Sequence, residues 1–239
     1  MMREPAFRRI PPPAPTPLAG RRVLVLGLGD TGLSLARWIE REGGKARLAD
    51  SRAEPPRKPD FTGELHTGAF APRLLDDVDV VCVSPGLSLD GEIVREALAR
   101  GLPVLGDIEL FAWHARQPVL AVTGTNGKST VTALVGHLLR AADLDCEVAG
   151  NIGPPVLEAL ARRLASGKLP RAWVLELSSY QLETTWSLAP AAAAMLNLSE
   201  DHFDRYASLE EYGAAKERIF AGAGTQVLNR DDARSMAMA

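Results

Sequence analysis

The sequence predicts an α/β protein of two lobes, each built on a parallel sheet. Three observations predict it. Short apolar strands alternate with helix-compatible segments; a glycine-rich turn, GLGDTG at residues 27–32, follows one strand and opens a helix; and a second, GTNGKST at 124–130, does the same later in the chain. Strands apolar on both faces belong to parallel sheets covered by helices on either side.

Residues 1–17 form a leader whose PPPAPTP run, at 11–17, lacks the backbone donors of a regular element and is expected to lie extended. The first lobe is placed at 18–113. Arg22 to Leu26 reads as a buried strand, and Gly32 to Gly43 as a helix with Leu35, Ala36 and Ile39 on one side. A second strand, Lys45 to Asp50, ends on an acidic residue. A third, Asp79 to Val83, runs into the turn Ser84-Pro85-Gly86, and Glu92 to Arg100 reads as a helix closed by Gly101. The order strand, glycine turn, helix, strand is Rossmann-like.

The second lobe, 114–239, opens with the strand Val119 to Val122, the GTNGKST loop and a helix on which Val131, Leu134, Val135, Leu138 and Leu139 recur at helical spacing. Further strands are Trp173 to Leu177, Ala193 to Leu196 and Gln226 to Leu228. The final ARSMAMA reads as a helix start with no later element to pack on, so this P-loop-type α/β lobe is expected to be incomplete and the chain truncated.

Composition narrows the partners. With 46% hydrophobic and 24% charged residues, the 239-residue chain belongs with globular proteins. A net charge of -3 with scattered basic residues gives no footprint for nucleic acid or an anionic membrane. No apolar stretch reaches membrane-spanning length, and the arginines near the N-terminus have no apolar run behind them. Cys82 and Cys146 lie in unrelated apolar stretches, as small core residues in a reducing compartment would. A cytoplasmic location is expected.

Gly27, Gly29 and Gly32 permit a tight turn and close approach of a phosphate to a helix N-terminus. Asp50, at the end of the next strand, stands where a dinucleotide-binding fold keeps its ribose-binding acid. This geometry serves a nicotinamide cofactor, any other nucleotide diphosphate, or strand-to-helix packing alone. The second loop is narrower in meaning: its backbone amides cradle phosphate oxygens, Lys128 neutralises charge and Ser129 reaches a magnesium ion. The usual spacing would put glycine at position 122, which is Val122 here, so the loop is a shortened variant.

Three residues downstream are candidates for the same centre. Glu176 ends the strand WVLE, so its carboxylate would emerge beside the phosphate loop as a hard ligand for magnesium; an exposed glutamate ending a strand is the plain alternative. His202, in EDHFDRY, reads equally as part of an acidic helix-capping cluster, since imidazole is not a preferred magnesium ligand. Lys216 falls within the apolar stripe of Leu209, Tyr212, Ile219 and Phe220, where a lysine must either snorkel out or find a partner.

Taken in order, GLGDTG, DSR at 50–52, SPG at 84–86, GDIELF at 106–111, GTNGKST, GNIG at 150–153, ELSSYQLE at 176–183 and LNLSEDHFDRY with the later AAK resemble the Mur ligase family, from about Leu18 onward. Within it they are most similar to the D-glutamate-adding branch. The paired ELSSYQLE and EDHFDRY blocks are far more specific than either glycine loop. The resemblance implies a uridine-nucleotide lobe, a central ATPase lobe and a C-terminal lobe that has no counterpart here. It implies that Asp30, Thr31, Asp50, Ser51, Arg52, Ser84, Pro85 and Gly86 surround a uridine diphosphate, and that Asn151 contacts the muramoyl substrate.

By the same resemblance Gly124, Thr125, Asn126, Gly127, Lys128, Ser129 and Thr130 hold ATP. Ser129 and Glu176 hold one magnesium ion and His202 a second; Lys216, carbamylated by carbon dioxide, becomes an anionic metal ligand. The implied reaction is ATP-dependent amide formation between UDP-N-acetylmuramoyl-L-alanine and D-glutamate through an acyl phosphate, in peptidoglycan precursor synthesis, with Lys128, Glu176, His202 and Lys216 as catalytic groups. A monomer is expected, and a chain without the third lobe is expected to be inactive alone. Rival readings are a non-catalytic nucleotide-binding relic, another amino-acid ligase of the family, a folate-polyglutamating ligase, which would lack the first lobe, and a nicotinamide dehydrogenase, which has no use for GTNGKST.

Overall fold

A computed structural model describes residues 5–56 and 63–238. The chain divides into two compact units, 1–110 and 111–239. Residues 1–4 of the expected leader lie outside the described residues. The proline run carries no regular element, but Phe7 and Ile10 just before it are buried, so the leader packs on the first unit.

The first unit contains strands β1 (Arg22–Leu26), β2 (Lys45–Asp50), β3 (Glu64–Thr67), β4 (Val80–Val83) and β5 (Val104–Leu105), with helices α1 (Asp30–Arg41) and α2 (Glu92–Ala99) and the start of α3 (Asp107–His114). All pairings are parallel, in the order β3-β2-β1-β4-β5. Chain direction across the sheet reverses between β1 and β4, and the crevice beyond their carboxyl ends is where such sheets bind ligands. Leu24, Val25, Leu26, Leu35, Ile39 and Leu48 are fully buried between sheet and helices. Strands β3 and β5 escape the sequence reading. β3, ELHT, is largely exposed at the sheet edge, and β5 has only two residues, so neither carries an apolar period.

Helix α1 begins at Asp30 rather than Gly32, so its first turn lies inside the glycine motif. Gly32 is dictated by packing: a Cβ there would lie 1.8 Å from the carbonyl oxygen of Gly27.

The second unit holds β6 (Val119–Thr123), α4 (Lys128–Ala141), β7 (Cys146–Gly150), α5 (Val156–Ala165), β8 (Ala172–Glu176), α6 (Ser179–Leu182), β9 (Ala192–Met195), α7 (Leu209–Glu217), β10 (Thr225–Leu228) and α8 (Ala233–Met236). Its sheet is parallel in the order β10-β9-β6-β8-β7. The carboxyl end of β6 is therefore flanked by those of β8 and β9.

The apolar residues that recur at helical spacing along α4 do not form its buried face. Thr132 and Gly136 are the buried residues, Val131, Val135 and Leu139 are half-buried, and Leu134 and Leu138 are 51% and 57% exposed. The helix lies against β7 and β8. A Cβ on Gly136 would come 2.4 Å from Val148 Cγ2, so small residues let the helix approach the sheet and large ones would hold it off. The final segment is also docked: Ser235, fully buried on α8, donates its hydroxyl to the carbonyl of Met195 at 2.9 Å, and Asp232 accepts from the amide of Leu198 at 2.7 Å. Both cysteines are free and buried.

Candidate active site

At the end of β6 the backbone leaves the sheet through Gly124, with φ 150°, and enters α4 through Gly127, with φ 82°. These angles favour glycine. The loop is held from the neighbouring strand end. Thr125 N–H donates to the Asn197 carbonyl at 2.9 Å, Asn126 N–H donates to Asn197 Oδ1 at 2.8 Å, and Asn197 Nδ2 donates to the Asn126 carbonyl at 3.0 Å. Asn197 is thus a splint for the loop between β6 and α4, and sequence reading gave it no role, because its partner lies 71 residues away. The first turn of α4 leaves backbone N–H groups without helical partners, a natural seat for phosphate oxygens. Lys128 Nζ donates to the Thr125 carbonyl at 2.9 Å, while Ser129 and Thr130 are exposed.

Glu176 is next to this loop, with Val122 opposite it in the parallel ladder. It is buried, 1% exposed, which removes the plain reading of an exposed strand end. Oε1 accepts from Asn151 Nδ2 at 2.6 Å, whereas Oε2 is buried without a hydrogen-bond partner. A buried carboxylate oxygen left in that state calls for a cation or a donor.

Lys216 does not snorkel. It is 1% exposed, and its Nζ donates to the Gly124 carbonyl at 2.8 Å and to Thr123 Oγ1 at 3.4 Å, at the base of the loop. Burial, reinforced by the nearby Lys128 ammonium and opposed by Asp201 and Glu176, draws its pKa down to about 7. The amine is thus available in its neutral, nucleophilic form near neutral pH.

His202 stands on a loop between β9 and α7, not on a helix, and the cap of α7 is Ser208. Its φ of 55° lies in the left-handed region. The ring packs against Tyr180 at 4.9 Å and Tyr212 at 5.7 Å between centroids, and Tyr212 also lies 4.7 Å from Lys216 Nζ. Tyr212 therefore links the histidine to the lysine. Arg205 and Glu183 form an ion pair beneath Tyr180 that steadies this wall. Among the described residues no three of His, Cys, Asp and Glu gather as a ready-made metal site.

In the first unit, the GLGDTG and SPG loops meet at the ends of β1 and β4, where a Cβ on Gly27 would lie 2.9 Å from that of Ser84. Asp50 is buried and saturated. It accepts from the amide of Leu28 at 2.7 Å, from the amide of Arg52 at 2.9 Å, and from the Arg52 guanidinium at 2.8 and 2.7 Å. The guanidinium bonds, joined by those two amides, hold its pKa down at about 2. A carboxylate offers about four lone-pair sites. All four carry a hydrogen bond from within the protein. Asp30 and Thr31 occupy the first turn of α1, and Ser51 is exposed beside Arg52.

Residues 21–106 match the MurD-like N-terminal domain of Mur ligases, and residues 122–239 match the Mur ligase middle domain. The chain belongs to the Mur ligase family. This Mur ligase chain is 54% identical over 228 residues to the UDP-N-acetylmuramoylalanine--D-glutamate ligase of Nitrosospira multiformis, covering 90% of the chain and 48% of that relative. It is 50% identical over 243 residues to the protein of the same name from Thiobacillus denitrificans, covering 93% of the chain and 51% of that relative. It spans about half the length of the curated relatives it matches. Two solved Mur ligases share the fold. The UDP-N-acetylmuramate:L-alanyl-gamma-D-glutamyl-meso-diaminopimelate ligase of Neisseria meningitides superposes with TM-score 0.59 at 20% identity, over 92% of this chain and 74% of that one. The UDP-N-acetylmuramate-alanine ligase of Thermotoga maritima does so with TM-score 0.53 at 19% identity, over 92% and 51%. No helix among the described residues of this Mur ligase chain is long and apolar enough to cross a membrane.

Proposed function

We propose that this chain supplies the uridine-nucleotide and ATP-binding portions of a cytoplasmic ligase that joins D-glutamate to UDP-N-acetylmuramoyl-L-alanine in peptidoglycan precursor synthesis. The carrying observation is the juxtaposition, at one strand end, of a phosphate-type loop, a buried carboxylate with an uncommitted oxygen and a buried lysine. The names of its relatives supply the substrates.

The residues present fit ATP and magnesium. Gly124 to Thr130 would hold the phosphates, and Glu176 Oε2, with the exposed Ser129 hydroxyl, would meet one cation. His202 and a carbamylated Lys216 would hold a second. When bound, ATP with magnesium would supply the phosphoryl group that activates the alanyl carboxylate for attack by the glutamate amine. Lys128, by swinging from the Thr125 carbonyl onto phosphate oxygens, would offset the charge that develops there. Lys216, with its neutral amine at the base of the loop, would add to carbon dioxide: the nitrogen lone pair bonds to carbon as one C–O π bond opens onto oxygen, and the nitrogen gives up a proton to water, leaving an anionic oxygen ligand. In the first lobe Arg52 would face the uridine diphosphate, held by Asp50, with Asp30, Thr31, Ser51 and Ser84 to Gly86 around it. Asn151 would border the muramoyl end.

Calorimetric titration of the 239-residue chain with UDP-N-acetylmuramoyl-L-alanine, beside NADH, tests the reading. Binding of the uridine compound alone is expected. Binding of NADH alone, or of neither by a folded chain, would overturn it.

A further inference from the structure

Asn151 occupies the turn after β7, and both of its donors end on one residue. Its backbone N–H donates to the Glu176 carbonyl at 2.9 Å, and its side-chain Nδ2 donates to Glu176 Oε1 at 2.6 Å. Gly150 makes this approach possible: its φ is 111°, and a Cβ there would lie 2.4 Å from the same carbonyl oxygen. The carboxylate so held is buried, and its other oxygen has no partner.

We infer that Asn151 is a positioning residue for a divalent cation: its amide binds one oxygen of Glu176 and thereby presents the other to the metal. An amide suits this task because it donates a hydrogen bond without bringing charge. A lysine or arginine at the same place would neutralise the carboxylate and compete with the cation. The backbone bond from the same residue sets the distance, so the side chain has little freedom to leave. Partners of this kind, one bond removed from the metal, tune affinity by fixing the orientation of the ligand. The inference rests on the reading of Glu176 as a cation ligand.

Manganese, a paramagnetic stand-in for magnesium, can be titrated into the chain in the presence of a non-hydrolysable ATP analogue, with free and bound ion read by electron paramagnetic resonance. Glu176→Gln tests the ligand reading and should lose most of the binding. Asn151→Leu, with the same branching but no side-chain donor, should weaken manganese binding by about ten- to a hundredfold, while affinity for the analogue in EDTA stays at the unsubstituted value. Asn151→Ala, measured in the same way, serves if the leucine disturbs folding. Normal manganese affinity in both Asn151 variants, with loss in Glu176→Gln, would overturn the positioning role and leave the ligand reading standing. An equal fall in EDTA affinity would show a merely structural role and overturn it too. Unchanged binding in Glu176→Gln, or none by the unsubstituted chain, would sink both.

Discussion

Two single residues carry measurable electrostatic signatures. Lys216 is buried with an amine pKa of about 7, against 10.5 for a free lysine. Between those values the unfolded chain holds a proton that the folded chain lacks, so raising the pH through this window favours folding. The stability of the unsubstituted chain should therefore rise relative to Lys216→Met between about pH 7 and pH 9, read by urea unfolding at several pH values. A constant difference would contradict the burial of the amine. Asp50 acts in the same direction in a more acid window: its folded pKa of about 2 lies below the ordinary 3.8, so its contribution is present above 3.8 and is lost as pH falls through 2. Asp50→Asn should cost about 1–2 kcal/mol at neutral pH, the half-exposed Arg52 partner being partly screened. That cost should shrink in acid, which thermal melts at pH 7 and at pH 3 would show. These roles explain why the sequence showed Lys216 as an anomaly but not its solution: the carbonyl that accepts its hydrogen bond lies 92 residues earlier.

At the scale of elements, α4 shows how a helical period can mislead. Its leucines repeat correctly, yet the seat is made by Thr132 and Gly136, because the phosphate loop sets where the helix starts and Val148 sets how near it lies. Gly136→Ala is therefore expected to destabilise by about 1–3 kcal/mol through overpacking, despite a helix-propensity gain of about 1 kcal/mol. Leu134→Gln and Leu138→Gln should each stay within about 0.5 kcal/mol of the unsubstituted chain. Denaturant titration distinguishes these outcomes, and a large loss in either leucine variant would restore the stripe as the packing face. Gly32→Ala should be worse than any of them, since its Cβ would meet a backbone carbonyl that cannot move aside without opening the turn between β1 and α1. Strand–loop–helix units were legible because each is made by neighbours in sequence. Edge strands β3 and β5 were not, because their pairing depends on the strand beside them.

At the scale of the molecule, the two units should answer to different ligands. A ligand that binds only the folded form stabilises what it touches, by about 2.7 kcal/mol at a hundredfold excess over its Kd. Magnesium-ATP should slow hydrogen exchange in residues 124–131 and in the 196–199 segment that splints them, while UDP-N-acetylmuramoyl-L-alanine should act on residues 27–32 and 84–86. Exchange mass spectrometry would resolve these peptides. Protection of the first loop by ATP alone would contradict the division of labour.

The sequence by itself determined the alternation of strands and helices, the places of both glycine loops and the set of blocks that define the family, because these follow from hydrophobic period, glycine conformational freedom and motif order along the chain. Only tertiary structure decided which oxygen of Glu176 is free, that Asp50 is saturated, that Asn197 braces the phosphate loop and that Lys216 is bonded beneath it. Glu176, Asn197 and Lys216 each depend on a partner distant in sequence, brought near by the parallel stacking of β6, β7, β8 and β9, and Asp50 adds to its neighbour Arg52 the Leu28 amide across β1 and β2; contacts of that kind leave no period in the sequence.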